Sequence, residues 1–277
     1  MPELPEVEVV RQGLAPRLIG RRFLRVSGGE KSLRRQSTVA ELQKCLVGRQ
    51  LIDLSRRGKY LVFDLEGGVT LLVHLGMTGH LLLDSAANPL PPLPHTHLVF
   101  ELEGNVKLVY QDVRRFGQVL VFPPGTLPEP LEKVGKEPFS REITPQWLAK
   151  QAQGRSRPIK NFLLDGRILA GIGNIYACEI LFAARLHPAT PVARLSLKDW
   201  SLVLKETRRI LKEAIRQGGT TVSNYLNSNG EAGLFQVRLL VYGRDGEPCR
   251  RCGAPIVRLV QAGRSSFFCP VCQKMPD

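Results

Sequence analysis

The alternation of apolar and polar positions divides the chain into three stretches. Over residues 1–24, Val7, Val10 and Leu14 recur at helical spacing while Arg11 and Arg17 fall on the other side, and Pro5 suits the first turn of a helix. A second, shorter helix is predicted over 38–46, with Thr38 as its N-cap. From Leu51 to Phe122 the period changes to short β-rich runs at 60–65, 69–75, 80–83, 96–102, 107–110 and 118–122. Glu66-Gly67-Gly68 and Glu103-Gly104-Asn105 supply turns, and the proline-rich run 88–94 reads as an exposed loop. This pattern predicts an antiparallel sandwich or barrel with helical flanks.

Pro123, Pro124, Gly125, Pro128 and Pro130 close the β-rich part, and the chain to about Pro145 reads as a linker. Helices are predicted at 145–153, 158–164, 174–184 and 197–216. The last has Ser196 as N-cap and Trp200, Val203, Leu204, Leu211 and Ile215 along one side. Gly218-Gly219 stops it, a polar loop runs to Gly233, and a cysteine module follows. There is no internal repeat.

Charge changes the picture. The 277 residues hold 39 Lys plus Arg against 25 Asp plus Glu, net +14, which points to a polyanionic partner. Residues 1–135 contribute 17 basic and 14 acidic groups (net +3), and 136–277 contribute 22 and 11 (net +11), so the second half is the stronger polyanion binder. No apolar run has the length of a membrane span, and the start MPELPEVEVV carries acids where a secretory signal carries a basic flank. Six cysteines are too sparse for a disulfide scaffold, so a cytoplasmic location is expected.

Four of those cysteines carry the most specific signal available from spacing. Cys249-x2-Cys252, sixteen residues, then Cys269-x2-Cys272 fits a zinc ribbon in which two CxxC pairs complete a tetrahedron. Four protein ligands leave no open position, so one structural Zn²⁺ is expected, with Gly253 and Gly263 in the turns of a small hairpin. The chemistry must lie elsewhere. Initiator Met is generally removed before a small residue, which would leave Pro2 with a free secondary amine. Such an amine titrates near neutrality and attacks an aldehydic sugar carbon to give an iminium. Glu3 and Glu6 stand near enough in sequence to supply acid or base work. On spacing alone, an ordinary solvated terminus with a proline helix start is the commoner meaning of the same residues.

The run Pro2-Glu3-Leu4-Pro5-Glu6-Val7-Glu8 resembles the amino terminus of the bacterial formamidopyrimidine-DNA glycosylases. The similarity continues through Arg57-Gly58-Lys59-Tyr60, His74-Leu75-Gly76-Met77-Thr78-Gly79 and Asp112-Val113-Arg114-Arg115-Phe116-Gly117. Gly171-Ile172-Gly173-Asn174-Ile175-Tyr176-Ala177, Gln217-Gly218-Gly219-Thr220-Thr221, Val241-Tyr242-Gly243-Arg244 and the four cysteines follow in family order. The related endonuclease VIII group usually has Gly in place of Leu4, which favours the enzymes acting on oxidised purines.

The resemblance implies a catalytic set and a DNA-contact set. Pro2 would form a Schiff base with C1′ of the damaged nucleotide, Glu3 would donate a proton at the deoxyribose, and Lys59 would serve as acid or base in β-elimination. Glu6 would close the first turn of the amino-terminal helix. His74, His95, Lys160, Asn174, Tyr242 and Arg264 would contact phosphate, with Arg264 also assisting δ-elimination; Arg155 and Arg157 match more loosely. Met77, Arg114 and Phe116 would fill the gap left by the flipped nucleotide, Arg114 reading the orphaned cytosine. By pattern alone, Met77 and Phe116 look like core strand residues. The loop 220–233 would cover the flipped base.

The expected fold is α+β. An N-terminal antiparallel β-sandwich with flanking helices spans 1–135, and a linker covers 136–145. A helical domain at 146–236 has the family's helix–two-turn–helix module, broken at Gly171-Ile172-Gly173, and a zinc finger spans 237–277. The implied protein is a monomeric base-excision enzyme acting on double-stranded DNA with 8-oxoguanine or formamidopyrimidines, with no membrane partner. Its rivals are an endonuclease VIII-like enzyme on the same fold and a non-catalytic zinc-ribbon DNA-binding protein.

Overall fold

The first helix, α1 (Leu4–Leu18), starts on Pro5 in its opening turn and buries Val7, Val10, Leu14 and Leu18. The structure, a computed structural model, describes residues 1–29, 31–85, 90, 94–220 and 239–275. It comprises two compact units. One is Met1–Glu132 together with 217–220; the other is Lys133–Arg216 and the described part of Val237–Asp277.

In the first unit two sheets enclose a core shared with two helices. The strands are β1 (Phe23–Gly28), β2 (Arg35–Gln36), β3 (Leu51–Arg57), β4 (Tyr60–Leu65) and β5 (Val69–His74), then β6 (Gly79–Asp84), β7 (Thr96–Leu102), β8 (Val106–Asp112) and β9 (Gln118–Phe122). They form a four-stranded sheet in the order β1-β7-β8-β6 and a five-stranded sheet in the order β2-β9-β5-β4-β3, antiparallel except for β2 beside β9. Leu61, Phe63, Leu71 and Val73 from one sheet meet Leu81, Leu83, Phe100 and Leu108 from the other, with Leu14 of α1 and Leu42 of α2 (Val39–Leu46) in the same core. Of the two architectures the pattern allows, the molecule adopts the sandwich.

Helix α1 ends at Leu18 rather than near residue 24, and β1 follows at once. Phe23 and Val26 are both buried at a spacing of three, which reads as a helix. A bulge between Phe23 and Arg25 shifts the register by one and turns both side chains inward. The same device places Leu51 and Leu54 of β3 in the core, with a bulge between Leu51 and Asp53. Thr38 caps α2 as expected, its hydroxyl accepting the Glu41 N–H at 3.2 Å. The run 88–94 is described only at Leu90 and Pro94, and most of that expectation lies outside the described residues.

The second unit follows a short helix, α3 (Glu129–Glu132), and holds α4 (Pro145–Ala152), α5 (Ile159–Leu163), α6 (Asn174–Ala183) and α7 (Leu197–Arg216). The stretch read as a linker is fastened to the connection between α5 and α6: the Lys136 N–H donates to Ile168 O (3.0 Å), and Lys136 O accepts the Ala170 N–H (2.9 Å). Ser196 caps α7, its hydroxyl accepting the Asp199 N–H at 3.2 Å. The hairpin β10 (Val257–Gln261) and β11 (Arg264–Phe268) turns through Ala262 and Gly263, both at positive φ, as a two-residue type I′ turn requires.

Candidate active site and nucleic-acid contact residues

The amino terminus is held by its own first turn. The Glu6 carboxylate accepts the Glu3 N–H at 2.8 Å, and its other oxygen accepts the N–H (2.9 Å) and hydroxyl (3.0 Å) of Thr220. Glu6 therefore fixes both the helix start and residue 220, the structural role expected of it. Pro2, Glu3 and Glu6 are buried and Met1 is exposed. Burial holds the Met1 α-amine below its ordinary value of 8.0; the charges of Lys59 and Arg114 act in the same sense, and those of Glu3 and Glu6 oppose them. Two expected catalytic groups and one expected wedge residue thus share the electrostatic surroundings of the terminus.

Lys59 sits in the two-residue turn between β3 and β4, after Gly58 at φ +59°, the positive φ that a type II′ turn needs at its first central position. Arg56 braces this turn: its Nε donates to Glu8 Oε2 of α1 at 3.0 Å and its Nη1 to Gly58 O at 2.9 Å. Burial works against Glu8 ionising, but hydrogen bonds and charge from Arg11 and Arg56 hold its carboxyl below the usual range. Charge pattern alone gave no reason to separate Glu8 and Arg56 from other surface ions; only the tertiary pairing does.

His74 ends β5 opposite Tyr60, next to the Lys59 turn, with ring centroids 4.8 Å apart. Its Nδ1 accepts the Gly76 N–H at 3.0 Å, which leaves Nε2–H as the donor for an anion. Burial, helped by the Lys59 charge, pushes its pKa from 6.5 down to about 4. The folded state thus prefers the neutral ring, and His74 costs stability only as pH falls from about 6.5 toward 4. In an NMR titration its ring signals should keep neutral shifts down to about pH 5; a midpoint near 6.5 would contradict this environment. His95 is exposed in a left-handed backbone conformation, φ +62°.

Met77 and Phe116 are not core strand residues. They stand on the loops after β5 and β8, 41% and 38% exposed, and the Arg114 guanidinium lies 4.7 Å from the Phe116 ring centroid. The two loops are packed backbone on backbone: a Cβ on Gly76, itself at φ +61°, would strike Phe116 and Gly117. Asp112, fully buried, pins both. Its Oδ1 accepts the Thr78 hydroxyl (2.6 Å) and the Arg114 N–H (3.2 Å), and its Oδ2 accepts the Gly117 N–H (2.8 Å). In the sequence Asp112 stands only as the first residue of a family-like run, and nothing local marks it as a buried pin.

In the second unit the expected contact residues converge on the hairpin. Lys160, expected as a phosphate contact, is fully buried, and its ammonium donates to Ser265 O (2.8 Å) and Ser266 Oγ (2.7 Å). Asn174 Nδ2 donates to the same Ser265 carbonyl at 2.9 Å. Both side chains hold the residue after Arg264, which is exposed at the start of β11. Arg157 pairs with Asp165 (3.0 Å), while Arg155 is exposed. Tyr242 packs on Phe267 (centroids 5.1 Å apart), and buried Glu179 accepts the N–H groups of Leu240 (2.9 Å), Val241 (3.0 Å) and Tyr242 (2.9 Å). Glu179 was also missed, because a single acid inside an apolar helix carries no pattern. Of the loop 220–233, only Thr220 lies within the described residues.

The Sγ atoms of Cys249, Cys252, Cys269 and Cys272 all lie within 4.8 Å of one another, against about 3.8 Å between sulfurs in a tetrahedral zinc tetrathiolate. Burial works against Cys249 ionising, but N–H groups of Arg251 and Cys252 and neighbouring thiols bring it down to about 7. Burial and then the crowding of the other three push Cys272 up to about 12. Four such sulfurs ionise together only around a cation, and the set holds one structural Zn²⁺ that clamps the base of the Arg264 hairpin. Cys252→Ser should lose about one zinc per chain and disorder the hairpin while the first unit stays folded. Metal analysis beside circular dichroism checks this, and unchanged zinc content would contradict it.

The model of the formamidopyrimidine-DNA glycosylase N-terminal domain matches residues 1–119, that of the H2TH domain 134–225, and that of a zinc finger found in FPG and IleRS 246–274. Formamidopyrimidine-DNA glycosylases of Bacillus licheniformis and Methylococcus capsulatus are 42% and 43% identical, each over 277 aligned residues covering 99% of this chain and 100% of theirs. The crystal structure of the MutM (Fpg) protein from Thermus thermophilus is similar at 40% identity and a TM-score of 0.88, with both chains covered completely. That of Lactococcus lactis Fpg with a Fapy-dG containing DNA is similar at 35% identity and a TM-score of 0.88, covering 98% of this chain and 100% of the other. The chain belongs to the formamidopyrimidine-DNA glycosylase family.

Proposed function

We propose that this protein is a base-excision repair enzyme, a DNA glycosylase and AP lyase that removes oxidised purines from duplex DNA through its amino-terminal proline. The observation that carries the reading is the setting of the terminus: an amine that burial destabilises as a cation, in electrostatic range of buried Glu3 and Glu6 and of Lys59 and Arg114. Removal of Met1 places that amine on Pro2. Its neutral form attacks C1′ of the flipped nucleotide while the C1′–N bond to the base breaks, and the base departs with the electron pair and takes up a proton. Glu3 protonates the ring oxygen, the sugar opens, and the Pro2 nitrogen becomes an iminium.

The iminium acidifies C2′. Loss of that proton, with Lys59 as acid or base, expels the 3′ phosphate; a second elimination, assisted by Arg264, expels the 5′ phosphate, and water then frees the amine. Met77, Arg114 and Phe116, rigidly mounted and exposed, fill the vacated stack, with the Arg114 fork toward the orphaned cytosine. His74, His95, Asn174 and Tyr242 hold phosphates. Lys160 acts through Ser265 and Ser266 as a positioning residue for Arg264. The net +11 of residues 136–277 supports duplex DNA as partner. Among the described residues no helix is long and apolar enough to cross a membrane. The protein would act as a monomer at the cytoplasmic nucleoid.

The test is a duplex carrying one 8-oxoguanine opposite cytosine, compared with one carrying an oxidised pyrimidine. The second arm is needed because Lactococcus lactis Fpg has also been crystallised with an oxidized pyrimidine containing DNA. Faster release of 8-oxoguanine, with a one-nucleotide gap bearing phosphates at both ends, is expected. Preference for the pyrimidine would favour the endonuclease VIII-like reading, and affinity for intact DNA without cleavage would favour a binding protein.

A further inference from the structure

The wedge residues account for one side of the loop after β8. On its other side an open pocket of about 300 Å³ is lined by Ser32, Leu33, Arg34, Arg114, Arg115 and Phe116. We propose that it is a second phosphate site, which grips a phosphodiester of the strand facing the lesion, within two nucleotides of the orphaned base. The proposal rests on the reading that Arg114 addresses that base.

Charge is the first argument. Three arginines line one pocket, and among the described residues no carboxylate pairs with any of them. Their neighbour Arg35 does find one, Glu129 at 2.7 Å, so the segment is not short of acids. Guanidinium forks match phosphodiester oxygens, Ser32 adds a hydroxyl donor, and Phe116 and Leu33 offer an apolar wall to the sugar.

The walls are also fixed in advance. Arg34 N–H donates to Arg115 O at 2.9 Å, and β2 joins β9 through Arg35 opposite Gln118. The ring of buried His97 lies between the same two segments, its nitrogens 2.7 Å from Lys31 O and 2.8 Å from Asp112 O, and the neutral ring donates to one of them. Arg115 is kept at φ +57°, a conformation that a non-glycine residue adopts at a cost and that clusters at functional positions. Two backbone links thus brace two exposed loops against each other around the arginines. Because Arg114 borders both the wedge and this pocket, the phosphates nearest to it belong to the nucleotide it addresses and its neighbours on that strand.

The experiment scans neutral methylphosphonate linkages, one at a time, across five positions on each strand around an uncleavable tetrahydrofuran site opposite cytosine. Wild type is compared with Arg34→Gln/Arg115→Gln, which removes charge but little volume at exposed positions, and thermal melting verifies folding. One or two linkages on the strand facing the lesion should weaken wild-type binding about tenfold. The double variant should be indifferent to those linkages, and its log–log salt slope should be smaller by roughly one, near 0.9 for the lost phosphate contact. A flat scan on that strand, or unchanged sensitivity in the double variant, overturns the site. Arg114→Ala tests the underlying reading separately through preference for the opposite cytosine, which the linkage scan does not measure.

Discussion

Protein that retains Met1 should bind lesion duplex with unchanged salt dependence and excise essentially nothing. The terminus is exposed only at Met1, and Pro2 behind it is buried, so a retained residue converts the nucleophile into an amide without disturbing any element. An amide nitrogen has no basic lone pair, so the iminium cannot form. Loss of at least about 10³-fold is expected, roughly 4 kcal/mol on the barrier. Glu3→Gln should behave similarly, with about 10²–10⁴-fold slower excision, because the amide cannot deliver a proton. Neither change removes a proposed phosphate contact, so affinity is the control. Intact mass of each preparation verifies the terminus, and Met1-retaining protein that cleaves at the normal rate would defeat the assignment.

Asp112→Ala should give the largest effect outside the chemistry. Three donors, the Thr78 hydroxyl and the N–H groups of Arg114 and Gly117, depend on that buried carboxylate. Leaving buried donors unpaired costs about 1–3 kcal/mol each, and Arg114 N–H keeps a second contact with Thr78 Oγ, so about 3 kcal/mol in total is a fair expectation. That corresponds to a fall in Tm of about 6–12 °C. With the loops released, Met77, Arg114 and Phe116 lose their common mounting, and discrimination for the opposite cytosine should erode about tenfold even where the variant is fully folded. Asp112→Asn keeps one acceptor and the shape, so it should lie between. Calorimetry together with excision opposite each of the four bases checks both effects; wild-type values in the alanine variant would show that the pin is dispensable.

Sequence and structure agree where local chemistry decides. Helix α7, its Ser196 cap and the spacing of the four cysteines depend on neighbours a few residues away, and each was legible. Strand β1 was not, because its bulge makes Phe23 and Val26 imitate a helical period. The same limit hid the wedge in pattern terms: Met77 and Phe116 are apolar residues beside strands, and only their exposure distinguishes them from core. The burial of Lys160 was not legible either. A lysine in a basic half reads as surface charge, yet it is fully buried and its ammonium is held by Ser265 and Ser266, 105 and 106 residues away. Glu179 and Asp112 share that cause. Each satisfies backbone donors in a distant or sharply folded segment, and such partners leave no periodicity.

The most direct measurement of the central claim is covalent trapping. Borohydride reduces an iminium to a stable amine, so enzyme incubated with 8-oxoguanine duplex and borohydride should become cross-linked in proportion to lesion and not to intact DNA. Peptide mapping then locates the bond. Lys59, the other amine beside the terminus, is the rival nucleophile. The adduct is predicted on the peptide that begins with Pro2; an adduct on the peptide containing Lys59 would contradict the account.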